Sequence, residues 1–325
     1  LHEGGMARKL GEAYDQVYEH LDATAREVWL DVVNIYLEQF LHSSRTHAWT
    51  VVCVPNANAV TNGGLGTLAL AALGDSPLAE EALWWARKHI RLYFDYCSGA
   101  DGGNTEGTMY QRYGMGSSRP FLCAMEKVLG TDEGLFDHPA WRNYMNMVRI
   151  SLTNDGGMHG VNDTTPAPYS GDLAWFLGRR TGDEFAIWYG DHCLRMAEAN
   201  ERREKRLPID RLAAEQRPDL PAVAEQPPLP TCMVLRDIQY SIMRSGPKYD
   251  CNLVAGLKGA RPPFTHHNQF DAGSIWIHVK GERLLIDPGY HKGQATDHCL
   301  PLIGGRGPIR EGFVSQIIAC EEGKG

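Results

Sequence analysis

The sequence predicts an α+β, multidomain chain: an incomplete α/α toroid followed by an antiparallel β-sandwich that is itself partly truncated. Three observations carry this expectation. Residues 1–206 place apolar side chains at helical spacing in segment after segment, joined by polar, Gly-rich loops. Residues 207–231 hold Pro208, Pro218, Pro221, Pro227, Pro228 and Pro230, the composition of a linker or an extended strap. Beyond residue 231 the apolar period changes to two. The expected domains are therefore 1–206, helical; 207–231, linker; and 232–325, a β-sandwich too short to be complete.

The first helical pattern runs from Asp22 through Val28, Trp29, Val32, Val33, Ile35, Tyr36 and Phe40, with Asp22 or Thr24 as N-cap. Val51–Pro55 leads to Asn56-Ala57-Asn58-Ala59-Val60-Thr61-Asn62-Gly63-Gly64, and a small-residue helix follows from Leu65 to Leu73, closed by Gly74. Pro77 opens a helix that carries Trp84, Trp85, Ile90 and Tyr93. A Gly-rich loop, Ser98–Asn104, leads into Glu106-Gly107-Thr108-Met109-Tyr110-Gln111-Arg112-Tyr113. Further helices fit 118–129, 138–152, 170–180 and 184–200, and the loop Asn154–Gly160, with Asn154 and His159, is a candidate cleft edge. No repeat of fixed period is present.

In the β part, Met233–Leu235, Tyr240–Met243 and Leu253–Ala255 read as strands. Ile275, Ile277 and Val279 alternate with Trp276, His278 and Lys280, and Gly281-Glu282 leads to Leu284–Ile286, a hairpin. Its mouth carries Thr265-His266-His267-Asn268-Gln269-Phe270-Asp271-Ala272-Gly273-Ser274, and Asp287-Pro288-Gly289-Tyr290 follows it. Taken alone, Asn268 and Asp271 read equally well as turn formers and the histidines as surface residues.

The chain has 325 residues, 43% of them hydrophobic, enough for one large domain or two ordinary ones. Its formal net charge is −8, and no Lys/Arg run suggests a nucleic-acid face. The acidic balance disfavours a polyanionic sugar without excluding it, because a few cations lining a groove suffice. No apolar run is long enough to span a membrane. A start at Leu1 and an end at Glu321-Glu322-Gly323-Lys324-Gly325 read as a fragment of a longer protein. The eight cysteines are scattered; Cys53, Cys123 and Cys193 read as buried thiols, and the spacing allows one or two bridges but suggests no disulfide framework.

Three of these segments together resemble the heparinase II/III-like polysaccharide lyases, which include the oligoalginate lyases. Asn56–Gly64 is similar to that family's Asn-Trp-x-x-Val-x-x-Gly helix start, with Ala57 where Trp is usual. Glu106-Gly107-x-x-Tyr110-x-Arg112-Tyr113 is similar to its Glu-Gly-x-x-Tyr-x-x-Tyr segment. His267–Ser274 with Asp287-x-Gly289-Tyr290 resembles its His-x-His-x-Asp-x-Gly-Ser…Asp-x-Gly signature, and His298–Gly304 is a weaker fourth match. The order from about residue 50 to 307 is the family's order.

The resemblance implies β-elimination on a uronate-containing glycan, of alginate or glycosaminoglycan type, leaving a 4,5-unsaturated end. That chemistry needs a donor to neutralise the substrate carboxylate, a base for the C5 proton and an acid for the O4 leaving group. Asn56 or Asn58 suits the first task, helped by His267. Tyr110, or Tyr113 in second place, suits proton transfer if Arg112 lowers its pKa. His267 is a further candidate base. The resemblance thus gives Asn56, Tyr110, Tyr113 and His267 as catalytic, and Asn58, Glu106, Arg112 and His266 as substrate-binding. It also implies one structural zinc held by Gln269, Asp287 and His298, with Gln269 where the family often has His. Against each role stands a structural one: Asn56 and Asn58 as helix caps, Tyr110 and Tyr113 as core, Arg112 as an ion-pair partner of Glu106. Two other functions fit the same segments: a glycoside hydrolase using Glu106 and Asp101, and a glycan-binding protein without activity. No organic cofactor is expected; the expected partner is an acidic polysaccharide, and a periplasmic or secreted location is implied by the family alone.

Overall fold

The computed structural model describes residues 2–160, 162–166, 171–204, 219–261, 267–290, 294–308 and 314–321. Pro208, Pro218, His266 and the C-terminal Gly325 lie outside them. The chain divides into two compact units, Leu1–Gly99 with Tyr113–Trp141, and Ala100–Arg112 with Arg142–Gly325. This differs from the boundaries expected near 206 and 232. The helices beyond Arg142 group with the sheet because α8, below, buries its apolar face against the first strands.

The first unit is helical. Its elements are α1 (His2–Val17), α2 (Ala23–Arg45), α3 (Trp49–Val52), α4 (Asn56–Ala71), α5 (Ala79–Leu92), the greater part of α6 (Thr108–Leu129), and most of the short α7 (Pro139–Arg142). Asp22 caps α2 as expected, its carboxylate accepting from Ala25 N at 2.8 Å. Helix α4 begins at Asn56 rather than at Leu65, and every side chain from Asn56 to Leu70 is buried. Its small residues permit that: a Cβ on Gly64 would overlap the Gly4 carbonyl of α1, so the two backbones touch directly. Helix α6 also starts earlier than 118 and runs through Pro120.

The second unit holds the 100–112 loop and first turn of α6, α8 (Tyr144–Ser151), α9 (Asp172–Thr181), α10 (Glu184–Glu204) and five strands. The strands are β1 (Cys232–Leu235), β2 (Tyr240–Arg244), β3 (Leu253–Lys258), β4 (Ile275–Val279) and β5 (Glu282–Leu285), in an antiparallel meander of that order. The β4–β5 turn uses Lys280 and Gly281, both with positive φ, as a two-residue hairpin requires. Met147 and Ile150 of α8 pack on Leu235, Tyr240, Ile242, Val254 and Trp276. Gly256 pairs with Trp276 across β3 and β4, and a Cβ there would collide with the indole.

The opposite face of the sheet carries Met243, Leu253, Ile275 and Leu285, each between 37% and 47% exposed. Among the described residues one sheet is formed, so the expected sandwich is represented by a single layer. Cys232 and Cys320 form a disulfide, which the scattered cysteine spacing did not suggest. Cys53 and Cys193 are buried thiols as expected, while Cys123 is half-buried.

Candidate active site

The second unit gathers the chemistry-bearing residues in three loops. The first, before α6, folds on its own amides. Asn104 Oδ1 accepts from Glu106 N at 2.9 Å, and Gln111 Nε2 donates to Gly102 O at 2.8 Å. This fixes the buried Glu106 and sets Tyr110 on the first turn of α6. The second loop carries Asn162 and Asp163; Asn162 takes φ +57° and donates through Nδ2 to Thr105 O at 3.0 Å. The third loop carries His267, Asn268, Gln269 and Asp271 into β4.

His267 is the meeting point. Its ring stacks on Tyr110 with centroids 3.3 Å apart and planes 13° apart. Asp163 Oδ2 lies 2.8 Å from His267 Nδ1, and Asp163 Oδ1 accepts from Gln269 Nε2 at 2.7 Å. A carboxylate only accepts, so Nδ1 carries the hydrogen and the lone pair of a neutral ring falls on Nε2. Nε2 lies 3.9 Å from Glu106 Oε1. The Tyr110 hydroxyl is 2.6 Å from that of Tyr290. Burial raises the Tyr110 pKa above the ordinary phenol range, with the Tyr290 hydrogen bond and the charges of Asp163 and Glu106 acting in the same direction.

That direction corrects the expectation that Arg112 lowers the Tyr110 pKa. Arg112 is paired instead with Asp172 at 3.9 Å. Tyr113 belongs to the first unit and is 45% exposed. Asn56 and Asn58 are also in the first unit, both buried. Asn58 does not fit the substrate contact expected of it: its Nδ2 donates to the carbonyls of Val51, Cys53 and His89 at 3.3, 2.7 and 2.9 Å. In the 154–160 loop, expected as a cleft edge, two residues are engaged in packing. Asn154 ties to Cys251 O at 3.0 Å, and His159 is buried against Trp276 with centroids 3.8 Å apart. Asp101, the expected partner of Glu106 in hydrolysis, accepts from Gly103 N and Asp237 N, both at 3.0 Å.

Next to this cluster Asp271, Asp287 and His298 bring one donor atom each to within 4.8 Å of one another. His298 Nδ1 is 2.8 Å from Asp287 Oδ2. Burial raises the Asp287 pKa, and the neighbouring Asp271 charge adds to it. Burial pulls His298 down, but the Asp287 hydrogen bond and charge outweigh this, so its pKa is raised. Asp271 Oδ2, His298 Nε2 and Gln269 Oε1 are buried without a hydrogen-bond partner in the structure. These are ligand atoms a cation would satisfy, so the residues fit the implied metal. Gln269 contributes only its oxygen, because Nε2 faces Asp163 and Gly289 O. Asp271 joins the expected set and also meets the Lys258 ammonium.

No protein-family model matches the chain, and no curated protein matches it in sequence. Solved structures do match in shape. A heparinase III structure superposes with a TM-score of 0.59 at 13% identity, covering 87% of this chain and 42% of its own. A second heparinase III gives 0.52 at 14%, covering 89% and 40%. A heparan sulfate lyase HepC mutant from Pedobacter heparinus gives 0.52 at 15%, covering 81% and 36%. The chain shares the α plus β layout of the matched part of these structures. It spans well under half the length of these heparinase-fold structures. Among the described residues, no helix is long and apolar enough to cross a membrane.

Sequence reasoning placed Tyr110, His267 and Glu106 in one site but missed Asp163, Tyr290 and Lys258. Asn162-Asp163 carries only a turn signal, since Asn and Asp tolerate left-handed backbone. Its approach to His267 bridges 104 positions of sequence, which local pattern does not encode.

Proposed function

We propose that the chain carries the catalytic groups of a polysaccharide lyase acting on a uronate-containing glycan by β-elimination. The observation that supports this best is the Tyr110–His267 stack with Asp163 on Nδ1. His267 Nε2 takes the C5 proton as the substrate carboxylate gains negative charge. Tyr110, kept protonated by its raised pKa, gives its proton to O4 as that bond breaks. This divides between two residues the work first assigned to one tyrosine. Asn56 is assigned the carboxylate donor from its place in the family motif, and Tyr113, His266 and Glu106 stay as candidate substrate contacts. In this reading the helices are part of an α/α toroid and the sheet is one layer of the family's sandwich. The heparinase-type neighbours favour an acidic glycosaminoglycan over alginate as substrate.

A zinc ion held by Asp287, His298 and Gln269 Oε1, with Asp271 beside them, would brace the loops around His267 and supply no step of the reaction. Metal analysis of the purified protein should find about one zinc per chain, and a chelator should lower Tm. Hydrolysis is the weaker reading, because it needs two carboxylates flanking the bond. Here His267 stands between Glu106 and Asp163, and Asp101 is committed to backbone amides.

The test is absorbance near 235 nm during incubation with heparan sulfate, hyaluronan and alginate. A rise with one glycan supports elimination and names the substrate. New reducing ends without a rise would sink the lyase reading.

A further inference from the structure

A small recess, partly open to solvent, lies in the second unit beside the Tyr110–His267 cluster. Three of its wall residues are chain neighbours of that cluster: Thr105 precedes Glu106, Asn162 precedes Asp163, and Asn268 follows His267. Its described lining is polar and carries two cations. Lys258 and Arg261 line it together with Asn104, Asn162, Asn268 and Thr105, while no carboxylate is among its described lining residues. Each cation has a carboxylate partner that is not itself a lining residue: Asp271 pairs with the buried Lys258, and Asp237 with the exposed Arg261 at 3.5 Å. The Lys258 ammonium is anchored by Asp271, Asn162 and Asn268, so it is a fixed cation in a buried wall. Arg261 is exposed at the mouth. Asn268 turns Oδ1 towards Lys258 at 3.4 Å, which leaves its amide hydrogens as the part not engaged there. A cavity wall of cations and amides with no carboxylate stabilises an anion.

We propose that this recess is an anion subsite that takes a sulfate or carboxylate substituent of the sugar next to the cleaved bond, with Arg261 and Asn268 as donors. The proposal rests on reading Tyr110 and His267 as the cleavage site. Arg261 offers the planar fork that suits either anion, and Lys258 adds a fixed charge behind it.

The test is calorimetric binding to Tyr110→Phe protein, in which turnover is slowed about 100-fold or more. The probes are an N-sulfated and an unsulfated glucuronate–glucosamine hexasaccharide. Adding Arg261→Ala should weaken binding about tenfold, the loss of one charge-assisted contact, with Tm unchanged. Arg261→Lys, which keeps the charge but not the fork, should recover only part of it. A loss confined to the sulfated probe makes sulfate the ligand; an equal loss with both makes it the carboxylate. Affinities within twofold of the parent for both probes, or no binding of either probe by the parent, would overturn the subsite. Failure of the lyase reading shows separately, as no absorbance rise near 235 nm when the unsubstituted protein meets either probe.

Discussion

Asp163 holds His267 by its Nδ1 edge at 2.8 Å, and Gln269 holds Asp163 by its other oxygen at 2.7 Å. A buried carboxylate bonded on both sides fixes the tautomer and the angle of the imidazole, as a second residue must if Nε2 is to be a base.

Asp163→Asn should therefore lower kcat by about 100-fold or more while KM moves only a few-fold. The amide has one acceptor for two donors, so either His267 or Gln269 faces an N–H. Steady-state kinetics check this, and full kcat in the variant would remove Asp163 from the mechanism.

Tyr110→Phe should cost about 100-fold or more in elimination while oligosaccharide affinity is retained. In the native protein the raised pKa keeps this acid protonated beyond the ordinary tyrosine range. The kcat profile should then show no alkaline loss assignable to Tyr110 below about pH 10. An alkaline limb near pH 8 that Tyr110→Phe abolishes would contradict it.

His159 and His278 are buried, and burial holds both below the usual imidazole range, His278 at about 4. The unfolded chain binds protons on them first, so stability rises with pH across this window. Their contribution is present above about pH 6.5 and is lost as pH falls towards 4. Tm measured from pH 7 to pH 4 should fall as protons are taken up, with His89 and His192, also held low by burial, adding to the uptake, and His278→Gln should flatten the curve. An unchanged slope in that variant would mean that another group drives the transition.

Asn58→Ala should destabilise the first unit by about 1–3 kcal/mol, because the carbonyls of Cys53 and His89 lose their Asn58 donor, while Val51 O keeps Asn62 Nδ2. Chemical denaturation checks the loss. Activity at 25 °C should stay within about twofold, which a substrate-binding Asn58 would not allow.

The sequence disclosed what is written in period and punctuation. The switch from helical spacing to alternation marked the strands, Asp22 marked a cap, and Gly281-Glu282 marked a hairpin, whose turn lies one residue earlier at Lys280-Gly281. His267, Tyr110 and Glu106 were found because each lies in a recognisable short segment. Asn58 was misjudged because one residue type serves equally as a catalytic donor and as a clip for carbonyls, and only the fold shows which carbonyls are near. The unit boundary was hidden for a similar reason: α8 has an ordinary helical pattern, and nothing in it names the sheet as its partner.

The glycine contact between α1 and α4 bears on how this protein can drift. At Gly64 the neighbour is a main-chain carbonyl, not a flexible side chain, so even a methyl group has nowhere to go. Saturation mutagenesis should find Gly64 intolerant of every replacement, while exposed positions such as Trp84 and Val28 accept many. Constraints of this kind preserve backbone approach and leave most letters free to change. A shape can then outlast its sequence, as a fold shared at 13–15% identity requires.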